Sequence, residues 1–286
     1  SDLFVDAANG DYRLQSGSPA IGRGDNAFVQ GSTDLDGNTR IFGGTVDMGA
    51  YETDVVDPDP DPDPNAACFV QVNNGPVASS ADAGALVTAV NSAGSGSIIK
   101  VAGICAPSFD PGDTLITINQ NMTLQGGYGF NPDGTPNFGA TPDPVNNKAT
   151  IDAGSRFSID PPVFENLARA IQINGVNVTL DGLIIQNGVA EGESGVGPGG
   201  GIYNNGGVLT LSNSILQDNS ASFGGSINNS ASATISTTTI SGSLGGAGIY
   251  NEGTLTLNNS IVQDNSGSFA TGGGIGNITG TMAINN

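Results

Sequence analysis

The sequence contains no histidine and no tryptophan, only two cysteines, and 7 lysine plus arginine residues against 27 aspartate plus glutamate residues. Because histidine is absent, the chain cannot build a Ser-His-Asp or Cys-His catalytic relay, and it has no imidazole ligand for a metal ion. The formal net charge of -20 at pH 7 repels nucleic-acid phosphates and anionic lipids. Composition therefore excludes the commonest hydrolase and zinc chemistries, and it argues against nucleic-acid binding and membrane insertion.

Long apolar runs are also missing, and no segment approaches the ~18 residues of a membrane-spanning helix. Charged residues make up 12% of the chain, against about 25% in an ordinary domain. The 37% of apolar residues are nevertheless spread in short β-branched groups, which predicts a long, thin folded core rather than disorder. The chain opens at Ser1 without a methionine or a basic and apolar leader, so we expect a processed or excised piece.

Local patterns divide the chain into three parts. Residues 1–52 alternate short apolar groups with turns rich in glycine, aspartate and asparagine, which predicts short strands. These strands are predicted at residues 3–5, 12–14 and 40–42. Residues 53–65 include Asp-Pro repeated four times, which favours an extended polyproline-II linker. We therefore expect a domain boundary at the linker and a larger domain over residues 66–286.

The larger domain is predicted to open with a cap, residues 66–125, that contains one helix. Apolar residues recur at helical spacing between Ser80 and Ala93, behind serine and aspartate cap candidates and before Gly94. Strands are predicted next at residues 98–101, 115–118, 122–125 and 149–151. The cap is therefore expected to lead directly into a β-rich region.

From about residue 170 to residue 286 the sequence repeats itself. Residues 178–187 align with 209–219, 233–240 and 255–265, and a glycine-rich turn into an isoleucine recurs beside each. The isoleucines of these turns, spaced 25, 22 and 26 residues apart, are Ile202, Ile227, Ile249 and Ile275. This period predicts a solenoid. Short strands without helices favour an all-β parallel β-helix over a leucine-rich repeat, whose helical back is missing.

Stacked coils would place equivalent side chains above one another at about 4.8 Å. We predict an aliphatic interior column of Leu211, Ile235 and Leu257. We predict a turn column of Asn213, Thr237 and Asn259, and we expect Phe223 and Phe269 to flank the glycine-rich corner. Such columns and the backbone pairing between coils would hold the rod together.

These motifs resemble a known group of proteins. The Gly-Gly-Gly-Ile turns and Tyr203-Asn204-Asn205 are similar to those of bacterial secreted and cell-surface right-handed parallel β-helix proteins, with pectate-lyase-like coils and polymorphic-outer-membrane-protein-type repeats. Further motifs of the same kind lie at residues 3–6, 17–21, 34–38, 48–52, 68–72, 99–105 and 124–128. The resemblance implies a right-handed fold and an extracellular or cell-surface location. It does not select a function, because the group includes adhesins, stalks and carbohydrate-active enzymes.

The order of the parts is unusual, because residues 1–52 resemble the terminal portion of a β-helix and yet precede residues 66–286. One interpretation is a window cut from a longer tandem array. The other is that residues 1–52 complete the open end of a neighbouring copy, so that copies join head to tail in a filament. In both cases we expect an extended assembly of the chain with itself.

Cys68 and Cys105 are the only cysteines, and they bracket the first strand and the helix of the cap. Because the chain has a secreted character, we predict a disulfide between them that pins the cap, while two buried free thiols remain the alternative. No catalytic residue, cofactor-binding residue or metal ligand is predicted.

Two acidic motifs could still carry chemistry. Asp34, Asp36 and Asn38 alternate carboxylate and amide oxygens on a tight turn, which suits calcium, although a hydrogen-bonded Asx turn explains the motif as well. Asp218 and Asp264 occupy equivalent places two coils apart, so their carboxylates could lie roughly 9 to 10 Å from each other. This distance touches the upper limit, ~9.5 Å, for the two catalytic carboxylates of an inverting glycosidase. Nothing near either aspartate is expected to raise its pKa, so polar turn residues are the simpler interpretation.

The sequence therefore predicts an extracellular structural or adhesive protein. A carbohydrate-active hydrolase or lyase is a first alternative, but residues 171–286 contain no lysine or arginine to act as a base or bind uronate. A passive glycan-binding module is a second alternative, and it is weakened by 5 tyrosines and no tryptophan. Expected partners are copies of the chain itself and surface glycans.

Overall fold

The structure is a computed structural model in which the chain divides into two compact units, residues 1–63 and 64–286. It describes residues 4–7, 11–14, 18, 20, 24, 28–29, 31–41, 46–52, 68–108, 113–132, 134–154, 156–159, 162–165, 168–190, 197–267 and 272–285. The predicted linker, residues 53–65, lies outside the described residues.

The first unit is a small β structure. The strands predicted at residues 3–5 and 12–14 correspond to β1 (Phe4–Asp6) and β2 (Asp11–Leu14), and the two form an antiparallel pair. The strand predicted at residues 40–42 is wrong for its described part, because residues 40 and 41 form a bend. The guanidinium of Arg40 donates to the Glu52 carboxylate at 3.0 Å and to the Gly49 carbonyl at 2.7 Å, so side-chain contacts shape this loop.

The second unit contains most of the secondary structure. In chain order its elements are β3 (Cys68–Val72), β4 (Val77–Ser80), α1 (Gly84–Ser92), β5 (Ser97–Cys105), β6 (Thr114–Ile118), β7 (Met122–Gln125), β8 (Ala149–Asp152), β9 (Arg156–Ile159), β10 (Pro162–Glu165), β11 (Arg169–Asn174), β12 (Asn177–Asp181), β13 (Leu183–Gln186), β14 (Val189–Ala190), β15 (Ile202–Asn205), β16 (Val208–Ser212), β17 (Ile215–Gln217), β18 (Ser220–Ala221), β19 (Ile227–Asn229), β20 (Ser232–Ser236), β21 (Thr239–Ser241), β22 (Leu244–Gly245), β23 (Ile249–Asn251), β24 (Thr254–Asn258), β25 (Ile261–Val262), β26 (Ser266–Gly267), β27 (Ile275–Asn277) and β28 (Thr281–Asn285).

The strands of successive coils pair in parallel and define four faces. Face 1 contains β6, β11, β15, β19, β23 and β27, and face 2 contains β5, β7, β12, β16, β20, β24 and β28. Face 3 contains β8, β13, β17, β21 and β25, joined to the end of β5, and face 4 contains β14, β18, β22 and β26. The second unit is therefore an all-β, solenoid-like stack of parallel strands.

The predicted helix is present but shorter at its N-terminal end, since α1 begins at Gly84. Ser80 and Asp82 precede it, and their side-chain oxygens accept hydrogen bonds from the backbone N–H groups of Ala85 and Gly84, at 2.9 and 2.8 Å. Leu86 lies on the buried face of α1, which packs against β3, β5 and β6. The helix thus covers one end of the core.

Side chains alternate inward and outward along face 2, and the inward ones form aligned columns. Leu211 pairs with Ile235, and Ile235 pairs with Leu257, so the predicted aliphatic column is confirmed. The predicted turn column is also confirmed, because Asn213, Thr237 and Asn259 share a left-handed backbone with φ of 50°, 50° and 44°.

The glycine-rich corner is described only in part. Phe223 lies there beside Tyr250, with ring centroids 5.2 Å apart. Phe269, the second aromatic residue predicted to flank this corner, lies outside the described residues.

Candidate functional site

A column of asparagines runs through the interior at the ends of the face 1 strands. The Nδ2 of Asn204 donates to the Oδ1 of Asn229 at 2.7 Å, and Asn229 donates in the same way to Asn251 at 2.7 Å. Asn251 donates to Asn277 at 2.6 Å. The first three side chains are fully buried, whereas Asn277 is exposed. The column therefore links four successive coils and ends at an accessible amide.

Each buried amide also binds the backbone of the following turn. The Nδ2 of Asn204 donates to the carbonyls of Gly207 and Ser232, at 3.1 and 3.0 Å, and so reaches the neighbouring coil. Because unpaired amides are costly in a dry interior, a fully paired column fixes the register between coils. The sequence patterns above did not predict this column, although Ile-x-Asn recurs in every repeat from Ile202 onward.

A second polar column lies in the turn between faces 2 and 3. The hydroxyl of Ser214 accepts the Leu183 backbone N–H at 3.2 Å and donates to the Ser212 carbonyl at 2.6 Å. Thr238 and Ser260 repeat this arrangement in the next two coils. These hydroxyls therefore link the backbones of neighbouring coils at this turn.

The opening of the second unit is closed by residues that do not repeat. Strand β3 pairs antiparallel with β5 on one side and with β4 on the other, and α1 packs beside them. The structure joins Cys68 to Cys105 in a disulfide with a Cα–Cα distance of 4.7 Å, and the described residues contain no free cysteine. Both cysteines are fully buried, so the bridge ties β3 to the far end of β5 within the core.

The last coil has no such cover within the described part of the chain. Strands β25, β26, β27 and β28 are the outermost strands of their faces and pair on one side only. Met282 and Ile284 continue the two inward columns of face 2, yet they are 38% and 51% exposed. Their partners Leu255 and Leu257 are 0% and 2% exposed. Within the described residues, the inward columns of face 2 therefore run as far as β28.

The outer surface of face 2 carries a regular column of threonines. Five of them pair in register from coil to coil: Thr123, Thr179, Thr210, Thr234 and Thr256. Three of these threonines, with Asn121, Asn177 and Val208, line a shallow depression of about 360 Å³. The sequence signal for the column is a recurrent threonine between two apolar residues. The apolar residues predicted the interior column, while the threonine was left without a role.

The calcium candidate in the first unit is organised by internal hydrogen bonds. The Asp34 carboxylate accepts the backbone N–H groups of Asp36, Asn38 and Glu52, at 3.0, 2.7 and 2.9 Å. The bond from Glu52 is the largest of the causes that hold the pKa of Asp34 below its usual value. The Asp36 carboxylate is bound by the Arg13 guanidinium at 2.6 Å. This geometry is that of an Asx turn closed on the unit itself, and calcium binding here stays an untested alternative.

Asp218 and Asp264 both occupy left-handed turn positions, with φ of 53° and 52°. The coil between them has Gly242 at the equivalent position, where an added Cβ would lie 2.3 Å from the Asp218 Oδ1. Although the Asp218 side chain keeps access to solvent, burial raises its pKa. The expectation that nothing would raise the pKa of these carboxylates is therefore wrong for Asp218. Their regular turn geometry still fits polar coil ends.

Arg169 lies just before the segment without basic residues, and its guanidinium is occupied by the fold. It donates to the carbonyls of Pro198 and Gly199, at 2.8 and 2.9 Å, and to the Gln172 side chain at 2.7 Å. It also lies 5.2 Å from the Tyr203 ring centroid. Burial lowers its pKa. This cation therefore fastens the glycine-rich corner to face 1.

Searches for a metal cluster, a membrane-spanning helix and a related protein gave negative results. Among the described residues, no group of three or more histidine, cysteine, aspartate or glutamate side chains is arranged to hold a metal ion. Among the described residues, no helix is both long and apolar enough to cross a membrane. Comparisons with protein-family models, with curated proteins and with solved structures found no match for this chain.

Proposed function

We propose that this protein is an extracellular structural or adhesive rod, and that its second unit is a right-handed parallel β-helix. Parallel strands of one sheet that are joined by a crossover connect with right-handed geometry in ~98% of cases. Every coil from β11 to β28 makes such crossovers between neighbouring strands of the same face. A disulfide within the cap also suits an oxidising, extracellular compartment.

The observation that carries the proposal is the stack of coils, in which aliphatic and asparagine columns continue from coil to coil as far as β28. Met282 and Ile284 continue the two inward columns of face 2 into β28. Where such a stack ends, its edge strand can pair with a strand of another chain. We propose that residues 1–52 of a neighbouring copy cover this end, so that copies add head to tail. Such a contact uses two different surfaces and does not close, which gives a filament.

The first unit also exposes large apolar side chains. Phe28, Leu35 and Met48 are 81%, 70% and 58% exposed. An assembly in which residues 1–52 cover a neighbouring copy would remove such side chains from water, which is favourable.

Sedimentation velocity of the full chain at increasing concentration, with negative-stain electron microscopy, tests this proposal. The wild-type chain is expected to form end-to-end oligomers. Ile284→Glu places a charge in the inward column of β28, and Leu35→Glu places one on the first unit, so each is expected to give monomers. Ala283→Glu adds the same charge to the outward side of β28 and is the matched control.

The control variant is expected to assemble as the wild type does. The proposal is overturned if the wild-type chain stays monomeric at all concentrations. It is also overturned if Ile284→Glu and Ala283→Glu reduce assembly equally, since charge alone would then explain the loss.

A further inference from the structure

The threonine column of face 2 presents hydroxyl and methyl groups that take no part in the proposed assembly. Thr123, Thr179, Thr210, Thr234 and Thr256 project from five adjacent strands in strict register. Ile98 precedes them in the same column and Ala283 follows them. Adjacent parallel strands lie about 4.8 Å apart, so the five hydroxyls repeat at that interval over roughly 19 Å. Each member adds a methyl group at the same interval.

The hydroxyls of this column are unpaired, whereas the neighbouring column on face 2 binds itself. In the neighbouring column, Ser212 donates to Asp181 at 2.7 Å, and Asn258 donates to Ser236 at 3.3 Å. Asn285 donates to Asn258 at 2.9 Å. None of the five threonine hydroxyls makes a hydrogen bond to the protein in the described part of the structure. The column therefore offers a row of equivalent donors and acceptors to an external ligand.

The face is also nearly free of charge, although the chain carries a net charge of -20. Asp181 and Lys100 are the charged groups among the described outward residues of β5, β7, β12, β16, β20, β24 and β28. Ser212 and Asn213 donate to the Asp181 carboxylate, and the Lys100 ammonium donates to the Asn74 side chain and the Phe138 carbonyl. No aromatic ring belongs to these strands' outward columns, so the surface lacks the stacking platform that sugar rings favour. A neutral ligand with the period of the coils fits this surface best.

Water itself meets these requirements. A water molecule bound to one threonine hydroxyl has an equivalent site on every following coil, so bound waters must repeat at the coil spacing. Methyl groups between the hydroxyls restrict the orientations of the adjacent waters. The resulting rows of water oxygens have a repeat close to that of the oxygen rows along the a axis of hexagonal ice. We propose that the threonine column of face 2 binds the surface of ice crystals.

Ice binding goes beyond the proposed function and does not rest on it. The threonines project from the side of the stack, whereas the proposed assembly uses the last coil. Ile284→Glu is therefore expected to abolish oligomers and to leave ice binding intact, which keeps the two proposals experimentally separate.

The test measures thermal hysteresis, inhibition of ice recrystallisation, and uptake of fluorescently labelled full-length chain into a growing ice hemisphere. The wild-type chain is expected to be active in all three assays. Thr179→Lys combined with Thr210→Lys puts two long, hydrated cations in the middle of the column and is expected to remove the activity. Thr117→Lys makes the same exchange on face 1 and is the matched control, which is expected to remain active.

Circular dichroism and thermal melting establish that each variant is folded. Should the double lysine variant unfold, Thr179→Val combined with Thr210→Val keeps the shape and removes only the hydroxyls, and it is expected to weaken uptake into ice. A wild-type chain without effect on ice growth overturns the proposal. Equal loss in the Thr117→Lys control also overturns it, as does binding to insoluble cellulose or chitin without any effect on ice.

Discussion

The first and last coils of the second unit both contribute strands to face 2, but only the first has a covered edge. At the opening, β3 pairs antiparallel with β5 on one side and with β4 on the other, and α1 and the disulfide close the core beside them. At β28 the same inward columns end in exposed Met282 and Ile284. A repeating pattern extends a stack but cannot terminate it, because each coil creates a new edge identical to the last. Termination requires residues outside the repeat, and the cap supplies them at one end.

Removing the disulfide at the covered end is expected to cause the largest loss of stability, because this crosslink closes a long loop of the chain. Cys68→Ser combined with Cys105→Ser opens a loop with a sequence separation of 37 residues. The chain-entropy estimate for a loop of this length is about 4 kcal/mol of lost stability. Urea unfolding followed by circular dichroism measures the loss. Reducing agent should destabilise the wild-type chain by a similar amount and leave the double variant unchanged. A loss below about 1 kcal/mol would mean that packing alone secures the cap.

Truncating one side chain in the middle of an inward column and one in its last described strand compares the interior of the stack with its last coil. Leu211 and Ile284 belong to the same inward column, but Leu211 is fully buried and Ile284 is 51% exposed. Leu211→Ala is expected to cost about 3 kcal/mol, because it leaves a cavity between two occupied coils. Ile284→Ala is expected to cost less than about 0.5 kcal/mol. Urea unfolding at concentrations where the chain is monomeric measures both. Equal losses would show that the last coil is covered in solution.

The asparagine column allows the same comparison for hydrogen bonds. Asn229→Ala removes the oxygen that accepts from Asn204 and the N–H group that donates to Asn251. It is expected to lower the free energy of unfolding by about 2 kcal/mol. Asn277→Ala removes an exposed amide at the end of the column, and its expected cost is a few tenths of a kcal/mol. Hydrogen exchange of the amides on β15, β19 and β23 should increase only in the first variant. An equal increase in both would contradict a column that acts mainly through its buried members.

The repeating part of the fold could be predicted from the sequence, and the exceptions have physical causes. The spacing of Ile202, Ile227, Ile249 and Ile275 was enough to predict stacked coils, because identical side chains must superpose to bury one continuous core. The asparagine column was missed because a polar residue beside a turn normally faces water, and only the neighbouring coil makes it an interior residue. In the first unit, the sequence around residues 40 and 41 has the local pattern of a strand. The partners of the Arg40 guanidinium, Glu52 and Gly49, lie too far along the chain for a local pattern to reveal them.

The free threonine hydroxyls illustrate a further limit of the sequence. Thr210 and Ser212 are both outward residues of β16, and both are expected to project from a face. Only the register of the neighbouring strand shows that Ser212 reaches Asp181, while Thr210 stands beside Thr179 without a bond to it. A threonine between two apolar residues recurs in all five strands, but this pattern does not show which outward row keeps its hydroxyls available.

The smallest expected effects are pH dependences, and they have opposite signs in the two units. Burial raises the folded-state pKa of Asp218, so its stabilising contribution is present below the unfolded pKa and is lost as pH rises through the folded pKa. Hydrogen bonds lower the pKa of Asp34, so its contribution is present above the unfolded pKa and is lost as pH falls through the folded pKa. Asp218→Asn should therefore gain stability relative to the wild type as pH rises through the range in which the Asp218 carboxyl group ionises, whereas Asp34→Asn should lose stability relative to the wild type as the Asp34 carboxyl group ionises. Urea midpoints at several pH values, followed separately for the two units with site-specific fluorophores, measure the slopes. Slopes of the same sign would show that net charge governs both sites rather than their local hydrogen bonds and burial.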